Sequence, residues 1–363
     1  METSFQSQKL ILIGPKTGIK GGASVSFNHL LDELDRRGVT YSCIDMPGGN
    51  YSLMRFFMIA KYLFRFLTTI KNGSVISLHA SDNSAIVYTI ILDRIARITN
   101  SKLIIRVFGG QHLDVLKRKQ PFLKRRVLEC YKRHTLLLQT KNMVERSREE
   151  LGLQNVEWFP TSRPSTPPKT LDSFQDSEPL KILYISQVRW NKGIDRCIEL
   201  AKFINKKKLS AEIHVYGELF DEKYKKEMEQ ITDGVIIYHG VAESDHVYDI
   251  MRKSDLLFFP TRYTGEGYPG VIVEAINVQL PVMAADMKNI RDLIDNEQDG
   301  LLVEFEDDQS VFDRPEELIN DREKLKGFHK NLEQKRDQFS SEYWNGEFFM
   351  DLVKGTQSRR DAE

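Results

Sequence analysis

A proline-rich segment near the middle of this 363-residue chain is the feature that most limits how it can fold. Residues 160–168 carry four prolines in nine positions, which is typical of an extended connector without regular structure. On both sides of it, short apolar runs such as Leu10–Ile13 and Lys181–Ser186 alternate with helical patterns. Apolar strands that alternate with helices predict parallel sheets covered by helices on both faces. We therefore expect two doubly wound α/β domains in tandem, which bind ligands at the carboxyl ends of their strands.

The same alternation of strands and helices sets the expected domain boundaries. Residues 1–160 are predicted to form an N-terminal Rossmann-like domain, 161–178 a linker, and 179–338 a C-terminal Rossmann-like domain. The aromatic-rich segment 339–363 is predicted to form a helix that packs across the domains. A chain of this length exceeds the usual size of one hydrophobic core, which favours two domains.

Charge is divided unequally along the chain, although its formal net charge is zero. Residues 1–175 hold 26 Lys and Arg against 14 Asp and Glu, whereas the remainder holds 26 against 38. The basic half suggests an anionic partner there, and the alternative is a pair of domains with matched charges. The three cysteines are widely separated and form no CxxC pair, which indicates a reducing compartment and neither a disulfide framework nor a zinc site. The polar N-terminus lacks a signal-peptide core, so a cytoplasmic location is expected.

A glycine-rich loop, residues 14–22, joins the first predicted strand to the first helix. Gly21 and Gly22 allow a phosphate to approach the helix start, where backbone N–H groups are available. The loop is neither a Walker A motif nor the GxGxxG fingerprint of dehydrogenases. A tight turn without a ligand is the alternative.

The strongest local signal is the stretch GEGYPGVIVEA at residues 265–275, which leads from a strand into an apolar helix. Its glycines permit close backbone approach, and the helix start offers N–H donors to a diphosphate. Glu274, one turn into the helix, could accept two hydroxyl hydrogen bonds as ribose would supply, and Glu266 in the loop could face a sugar. The alternative is that both glutamates are solvated or capping residues. The residues of this stretch that are candidates for binding the diphosphate and its ribose are Gly267, Tyr268, Gly270 and Glu274.

Two further strand ends carry candidate residues. Arg189 and Lys192 follow the strand that ends near Ser186 and could neutralise a diphosphate leaving group, although they would be unremarkable as surface charges. Val241 follows a later strand and could form one wall of a pocket for the base of a nucleotide. The neighbouring His239 could belong to the same wall or, equally well, be a core residue.

Glu266 and Glu274, separated by seven residues, resemble the E-x7-E motif of the family 4 retaining glycosyltransferases. Lys192-Gly193, the Gly21-Gly22 loop and the strand at 254–260 also fall where that family has counterparts, and the resemblance spans residues 9–305. It implies the GT-B fold, two Rossmann-like domains facing a cleft, with the donor on the C-terminal domain and no obligatory metal. By position, Glu274 would bind the ribose, Lys192 the diphosphate, and Glu266 would lie near the transferred sugar.

The sequence departs from the family pattern at two places. Ser186 and Gln187 stand where the family has Gly-Arg, so Arg189 is the candidate substitute. The fourth strand of the first domain lacks the family's terminal His, which leaves His112 as the candidate and His79 as its rival.

Two basic segments of the first half suggest a membrane surface. Residues 51–71 are rich in Phe, Leu and Met with interspersed Lys and Arg, and residues 116–134 hold eight Lys and Arg against one Glu. Such segments suit peripheral contact with an anionic bilayer, and the alternative is that both helices pack on the sheet with charged outer faces. No nucleic-acid recognition motif accompanies the basic cluster.

These observations predict a hexosyltransferase-type enzyme that moves a sugar from a UDP- or GDP-linked donor to a saccharide or lipid-linked acceptor in surface polysaccharide or lipid-linked glycan synthesis. The expected catalytic residues are Glu266 and His112, with no cofactor and no metal. A cytoplasmic location, at the inner face of the membrane, follows from the same expectations. Two alternatives remain: a sugar-nucleotide epimerase of the same fold, and a non-catalytic sugar-nucleotide-binding partner protein.

Overall fold

The computed structural model describes residues 9–17, 21–46, 55–170, 178–231, 234–305 and 310–356, with side chains except at 55–60 and 310–311. It divides into two units. Unit 1 consists of the described residues up to Pro164, the segment Gly265–Tyr268 and the described residues from Ser340 onward. Unit 2 consists of the described residues in Ser165–Thr264 and Pro269–Phe339. Residues 18–20 of the glycine-rich loop, 171–177 of the predicted linker and 357–363 of the terminal segment lie outside the described residues.

Unit 1 is built on a six-stranded parallel sheet in the order β2-β1-β3-β4-β5-β6. Its strands are β1 (Leu10–Gly14), β2 (Tyr41–Asp45), β3 (Val75–Ser81), β4 (Lys102–Phe108), β5 (Thr135–Leu138) and β6 (Val156–Trp158). The apolar run of β1 is buried at every position, as expected for a central strand that is covered on both faces.

Helices cover both faces of this sheet. The helices of unit 1 are α1 (Gly22–Arg36), α2 (Arg55–Thr69), α3 (Asp82–Ile98), α4 (His112–Lys117), α5 (Pro121–Arg133) and α6 (Lys141–Leu151). Helices α2 to α6 share one core with alternate strand residues such as Ile11 and Ile13, whereas α1 packs on the opposite face against Leu10 and Leu12. The alternation of strand side chains therefore supplies both cores from the same short strands.

The terminal segment completes the α1 face of unit 1. A π-helical stretch, Glu342–Phe348, continues directly into α13 (Phe349–Lys354), where the sequence predicts a single helix. Trp344 and Phe349 are buried in the core that α1 shares with the sheet. The aromatic residues of this segment thus cover apolar sheet surface that α1 alone leaves open.

Unit 2 repeats the plan with a six-stranded parallel sheet in the order β12-β11-β10-β7-β8-β9. Its strands are β7 (Leu180–Ile185), β8 (Ala211–Tyr216), β9 (Ile236–Tyr238), β10 (Leu256–Phe259), β11 (Val282–Ala285) and β12 (Gly300–Val303). Its helices are α7 (Ile194–Lys207), α8 (Glu222–Glu229), α9 (Val247–Arg252), α10 (Gly270–Asn277), α11 (Ser310–Asn320) and α12 (Arg322–Arg336), with a 3₁₀ turn at Trp190–Lys192.

Both sheets confirm the predicted α/β class with doubly wound parallel strands. In unit 1 the strand order reverses between β1 and β3, and in unit 2 it reverses between β7 and β10. The connections leave such a pair toward opposite sides of the sheet, which opens a crevice at the carboxyl ends of the two strands. Strands β6 and β11 are not predicted from the sequence.

Gly217, which follows β8, provides a test of this architecture. Its φ is +148°, and a Cβ at this position would lie 1.7 Å from the carbonyl oxygen of Ser186 at the end of β7. Gly217→Ala is expected to lower the free energy of unfolding by roughly 3 kcal/mol or more, because neither backbone segment can move without breaking strand pairing. Urea denaturation measures the effect.

Gly327, in the middle of α12, is the matched control, since no described atom lies within 4 Å of a Cβ added at this position. Gly327→Ala is expected to stabilise the protein by about 0.5–1 kcal/mol through the helix propensity of alanine. Similar losses for both variants would contradict the close approach at Gly217.

Candidate functional site

The carboxyl ends of β7 and β10 in unit 2 are tied together by the loops that follow them. The backbone N–H of Arg262 donates to the carbonyl of Asn191 over 2.9 Å, and the Thr261 hydroxyl donates to the same oxygen over 3.4 Å. The Arg262 guanidinium also donates to the Asp195 carboxylate at 2.8 Å, at the start of α7. These bonds fix the loop that carries Arg189 and Lys192 beside the segment that leads to α10.

Gly193 explains why this loop can lie so close to β10. Its φ is +78°, and a Cβ there would lie 2.0 Å from the carbonyl oxygen of Pro260. A side chain at this position would be strained by its backbone conformation and would also collide with the Pro260 segment. The glycine of the Lys192-Gly193 pair is therefore required by backbone packing at the switch point.

The two candidate cations at this edge contact aromatic rings. The Arg189 guanidinium lies 5.4 Å from the centroid of the Phe220 ring, and the Lys192 ammonium lies 4.8 Å from that of Tyr263. The Nε atom of Arg189 is buried and has no hydrogen-bond partner among the described residues. Cation–π contact holds such a group in place without cancelling its charge, so Arg189 keeps the ability to bind an anion.

Helix α10 begins at Gly270 beside this pair of loops, with Pro269 as its N-cap residue. Ile272, Val273, Ala275 and Ile276 are buried in the helix, whereas Glu274 is only half-buried. The first backbone N–H groups of a helix have no intrahelical partner and carry partial positive charge. The helix therefore presents donors at its start and a carboxylate one turn further on.

Val241 lies after β9, at the same edge of the sheet. It is 69% exposed, and the preceding Gly240, at φ +78°, accepts a 2.7 Å hydrogen bond from the backbone N–H of Gly217. His239 stacks on Tyr216 with ring centroids 4.5 Å apart and an interplanar angle of 10°. Because all strands of the sheet are parallel, the loops with Arg189, Lys192, Val241 and Glu274 lie at one edge.

The segment 265–268 belongs to unit 1 and is anchored there. Gly110 donates its N–H to the carbonyl of Gly265 over 3.4 Å, and a Cβ on Gly267 would lie 2.5 Å from the Gln139 side-chain oxygen. Tyr268 is 3% exposed, and its carbonyl accepts a 3.0 Å hydrogen bond from the Thr161 hydroxyl. Gly267 and Tyr268 thus hold the loop on unit 1, and Glu266 is the half-buried residue between these anchors.

His112 is fully buried at the start of α4 in unit 1. Its Nε2 lies 2.7 Å from the Tyr131 hydroxyl oxygen, and its Nδ1 lies 3.8 Å from a carboxylate oxygen of Asp82. Asp82 and Gly109 are not among the residues predicted from the sequence, although both follow strand ends, which is the signal that identifies the other candidates.

The two glycines at the start of α1 lie in the open. Gly21 is the N-cap residue and Gly22 the first helical residue, and both are exposed. No described atom lies within 4 Å of a Cβ added to either of them. Packing among the described residues therefore does not require glycine here.

His79, the rival of His112, lies inside the core of unit 1. It is 1% exposed and its ring lies 4.9 Å from that of Phe27. Burial holds the pKa of His79 well below its usual value, and the charge of Arg106 lowers it further. A neutral imidazole in this position packs as a core residue.

This burial predicts a pH-dependent stability. The unfolded chain binds a proton at His79 near pH 6.5, and the folded chain does not, so the free energy of unfolding falls as the pH drops below that value. His79→Leu should reduce this fall by about 1.4 kcal/mol per pH unit below the ordinary pKa. Urea denaturation at about pH 7.5, 6.5 and 5.5, on both sides of the ordinary histidine pKa, measures it.

His246→Leu is the control, because the His246 side chain is 62% exposed. It is expected to leave the slope of stability against pH unchanged. An unaltered slope in His79→Leu would contradict the buried neutral state of His79.

In the described part of the chain, a single group, Glu243, Asp245 and His246, places three possible metal-ligating atoms within 4.8 Å of one another, and all three residues are exposed. No described helix is long and apolar enough to cross a membrane.

Sequence comparison gives matches over part of the chain. Residues 169–335 match the family model of the glycosyl transferases group 1. The capsular polysaccharide biosynthesis glycosyltransferase CapM of Staphylococcus aureus is 26% identical over 164 residues, which is 44% of this chain and 42% of CapM. The sulfoquinovosyl transferase SQD2 of Arabidopsis thaliana is 24% identical over 176 residues, 47% of this chain and 32% of SQD2. The matched regions thus span less than half of either relative.

Solved structures resemble the chain over 82–96% of its length. HepE of Anabaena, in complex with UDP and glucose, has a TM-score of 0.69 at 13% identity, over 96% of this chain and 99% of HepE. Sucrose-phosphate synthase of Thermosynechococcus elongatus has a TM-score of 0.72 at 13% identity, over 96% and 99% of the two chains. TarM of S. aureus has a TM-score of 0.63 at 18% identity, over 82% of this chain and 59% of TarM. The predicted GT-B fold is thereby confirmed. Residues 169–335 are thus similar to the glycosyl transferases group 1, within a chain that has the GT-B fold.

Proposed function

We propose that this protein is a retaining glycosyltransferase of family 4 that moves a hexose from a UDP- or GDP-linked donor to an acceptor hydroxyl, without a metal ion. The observation that carries the proposal is the arrangement at the β7–β10 switch point of unit 2. There Arg189 and Lys192, the start of α10 and Glu274 lie at one edge, within the segment that matches the family model.

In this proposal each group of unit 2 binds one part of the donor. Arg189 and Lys192 bind the diphosphate, because ionised donors form the strongest hydrogen bonds to phosphate and stabilise it as it departs. The start of α10, at Gly270, adds backbone donors to the same anion. Glu274 accepts hydrogen bonds from the ribose hydroxyls, and Val241 borders the base.

The names of similar proteins support a role in glycan synthesis. CapM is named for capsular polysaccharide biosynthesis, and solved structures of HepE contain UDP-glucose or UDP with glucose. The TarM structure contains UDP and α-GlcNAc-glycerol. We infer by analogy that the donor is a UDP- or GDP-sugar and that the acceptor is a growing surface saccharide or a lipid-linked glycan.

On the acceptor side, Glu266 in the anchored loop is proposed to contact the transferred sugar. His112 is proposed to act through a neighbouring group, since its ring is fully buried. Gly21 and Gly22 leave room for a ligand at the start of α1.

The epimerase and the non-catalytic binding protein are distinguished by product analysis. A transferase releases nucleoside diphosphate in an acceptor-dependent manner, an epimerase converts the donor sugar without acceptor, and a binding partner does neither. Incubation with UDP- and GDP-sugars, followed by chromatography of nucleotides and sugars, separates the three.

Glu274→Ala tests the donor site by calorimetry with UDP, GDP, ADP and their sugars. We expect the wild type to bind one diphosphate, and the variant to bind it about 10- to 100-fold more weakly, since hydrogen bonds to a charged group are worth about 1.5–3 kcal/mol. Glu229→Ala, at an exposed glutamate at the end of α8, should leave the dissociation constant unchanged. Absence of binding to every nucleotide in the wild type would overturn the proposed function.

We further propose that unit 1 contacts an anionic bilayer through the outer face of α2, α3 and α5. These helices pack on the same face of the sheet, where Tyr62 and Phe66 of α2 are buried. Their outer surface nevertheless carries the exposed apolar side chains Leu63, Phe64, Leu67, Val87, Ile98 and Phe122. Exposed basic residues lie among them, namely Lys61, Arg65, Arg94, Arg97 and Arg125.

This mixture of apolar and basic groups suits the interface of an anionic membrane, because the rings and aliphatic chains enter the headgroup region while the cations bind phosphate. A surface that is charged only to remain soluble would not need Phe64 at 68% exposure or Leu67 at 61%.

The double variant Phe64→Ser/Leu67→Ser is expected to reduce partitioning onto vesicles of phosphatidylglycerol and phosphatidylcholine by about 10-fold or more, since each side chain contributes up to roughly 1.5–3 kcal/mol on burial. Sedimentation with vesicles measures the bound fraction. Val25→Ser, on α1 at the opposite face of the sheet, is the control. Equal binding of all three proteins, or no dependence on anionic lipid, would contradict the proposed surface.

A further inference from the structure

Asp82 occupies an unusual place in unit 1. It is the first residue of α3 and directly follows β3, so it lies at the carboxyl edge of the sheet. Its φ is +27°, in the left-handed region that residues other than glycine rarely adopt. A strained residue at a strand end is a feature that clusters at functional sites.

One oxygen of the Asp82 carboxylate lacks a hydrogen-bond partner among the described residues. Among the described residues, Oδ1 of Asp82 is a buried atom without a hydrogen-bond partner, although the side chain as a whole is 35% exposed. Nδ1 of His112 lies 3.8 Å from it and also lacks a hydrogen-bond partner within the described part of the chain. A buried polar group without a partner is costly, so the pair has capacity for another ligand.

The Tyr131 hydroxyl contacts the second ring nitrogen of His112, Nε2. Burial raises the pKa of Tyr131, so its hydroxyl stays protonated and can donate to Nε2 of His112 at 2.7 Å. In the tautomer whose Nε2 accepts this hydrogen bond, the imidazole proton sits on Nδ1, the nitrogen that faces Asp82. His112 is fully buried, whereas Asp82 reaches solvent, so Asp82 is the member of the pair that can touch a ligand.

Gly109 connects this pair to the loop of Glu266. A Cβ on Gly109 would lie 3.9 Å from both carboxylate oxygens of Asp82 and 3.9 Å from the carbonyl of Gly265. Gly109 itself has a φ of +97° and donates its N–H to the Gln139 side-chain oxygen at 2.7 Å. The Asp82 carboxylate therefore lies beside the loop that carries the residue proposed to contact the transferred sugar.

From this geometry we propose that Asp82 binds the acceptor hydroxyl, and that His112, held by Tyr131, is a positioning residue that orients the Asp82 carboxylate. The acceptor hydroxyl donates a hydrogen bond to the carboxylate, which directs the oxygen lone pair away from Asp82 and toward the sugar. The inference rests on the proposed glycosyltransferase activity, and it names the residue that recognises the acceptor.

The test measures steady-state transfer from the nucleotide sugar that binds in calorimetry to the p-nitrophenyl glycosides of glucose, galactose and N-acetylglucosamine. Asp82→Asn is expected to raise the KM for the acceptor or lower kcat/KM about 10- to 100-fold, as loss of one hydrogen bond to a charged group predicts. The dissociation constant of the donor should change by less than about twofold, because the donor groups lie on other residues. His112→Phe keeps a ring in the site and should shift the acceptor KM in the same direction by a smaller factor.

Asp82→Gly separates a functional role from a structural one, since glycine adopts a positive φ without strain. We expect an unchanged or higher Tm together with the same loss in acceptor kcat/KM. Asn83→Ala, at the next and exposed position of α3, is the matched control and should retain the wild-type acceptor KM.

Transfer by Asp82→Asn and Asp82→Gly with an unaltered acceptor KM and kcat/KM would overturn the role of Asp82 and leave the proposed function intact. A change in donor binding alone would also overturn it. The wild type could bind nucleotide sugars and transfer to none of the acceptors. If Asp82→Gly then hydrolyses the donor as fast as the wild type does, the result counts against the role of Asp82 as well. Absence of nucleotide binding in the wild type would instead remove the proposed function and this inference together.

Discussion

Parallel pairing between β7 and β10 is the constraint on which the candidate site of unit 2 depends. Leu256 and Leu257 of β10 pair in register with Ile182 and Leu183 of β7, and the chain leaves these two strands toward opposite sides of the sheet. The loops at their carboxyl ends must diverge, which opens a crevice. They can do so and still remain close only because Gly193 lacks a side chain where the Pro260 carbonyl passes.

At the amino ends of β7 and β10, buried charged side chains form an ion pair. Lys169 lies 2.7 Å from the Asp255 carboxylate just before β10, with side-chain exposures of 2% and 8%. Asp255 also accepts the backbone N–H of Lys181 in β7 over 2.9 Å. Burial lowers the pKa of Lys169, and the nearby carboxylate opposes this shift. The amino ends of the strands thus hold paired charges, whereas Arg189 beyond the carboxyl end of β7 stacks on a ring and keeps its charge for a ligand.

Unit 1 uses the same edge of a parallel sheet in a different way. It places the carboxylate of Asp82 and the buried ring of His112 there, beside the anchored loop of Gly265. The motif that runs from Glu266 to Glu274 is therefore divided: Glu266 belongs to unit 1 and Glu274 to unit 2. Two glutamates that form one local motif in the sequence lie in two different compact units.

The sequence by itself determined the two parallel α/β domains and the strand ends that carry Arg189, Lys192 and Glu274, because buried strands and glycine turns leave a local pattern. It could not distinguish between the two candidate histidines. His79 and His112 both lie near strand ends, yet one packs in the core and the other faces Asp82. Nor could it identify Asp82, whose proposed role depends on its contacts with residues far along the chain. Such contacts exist only once parallel strands have brought distant loops to one edge, so tertiary structure alone decides them.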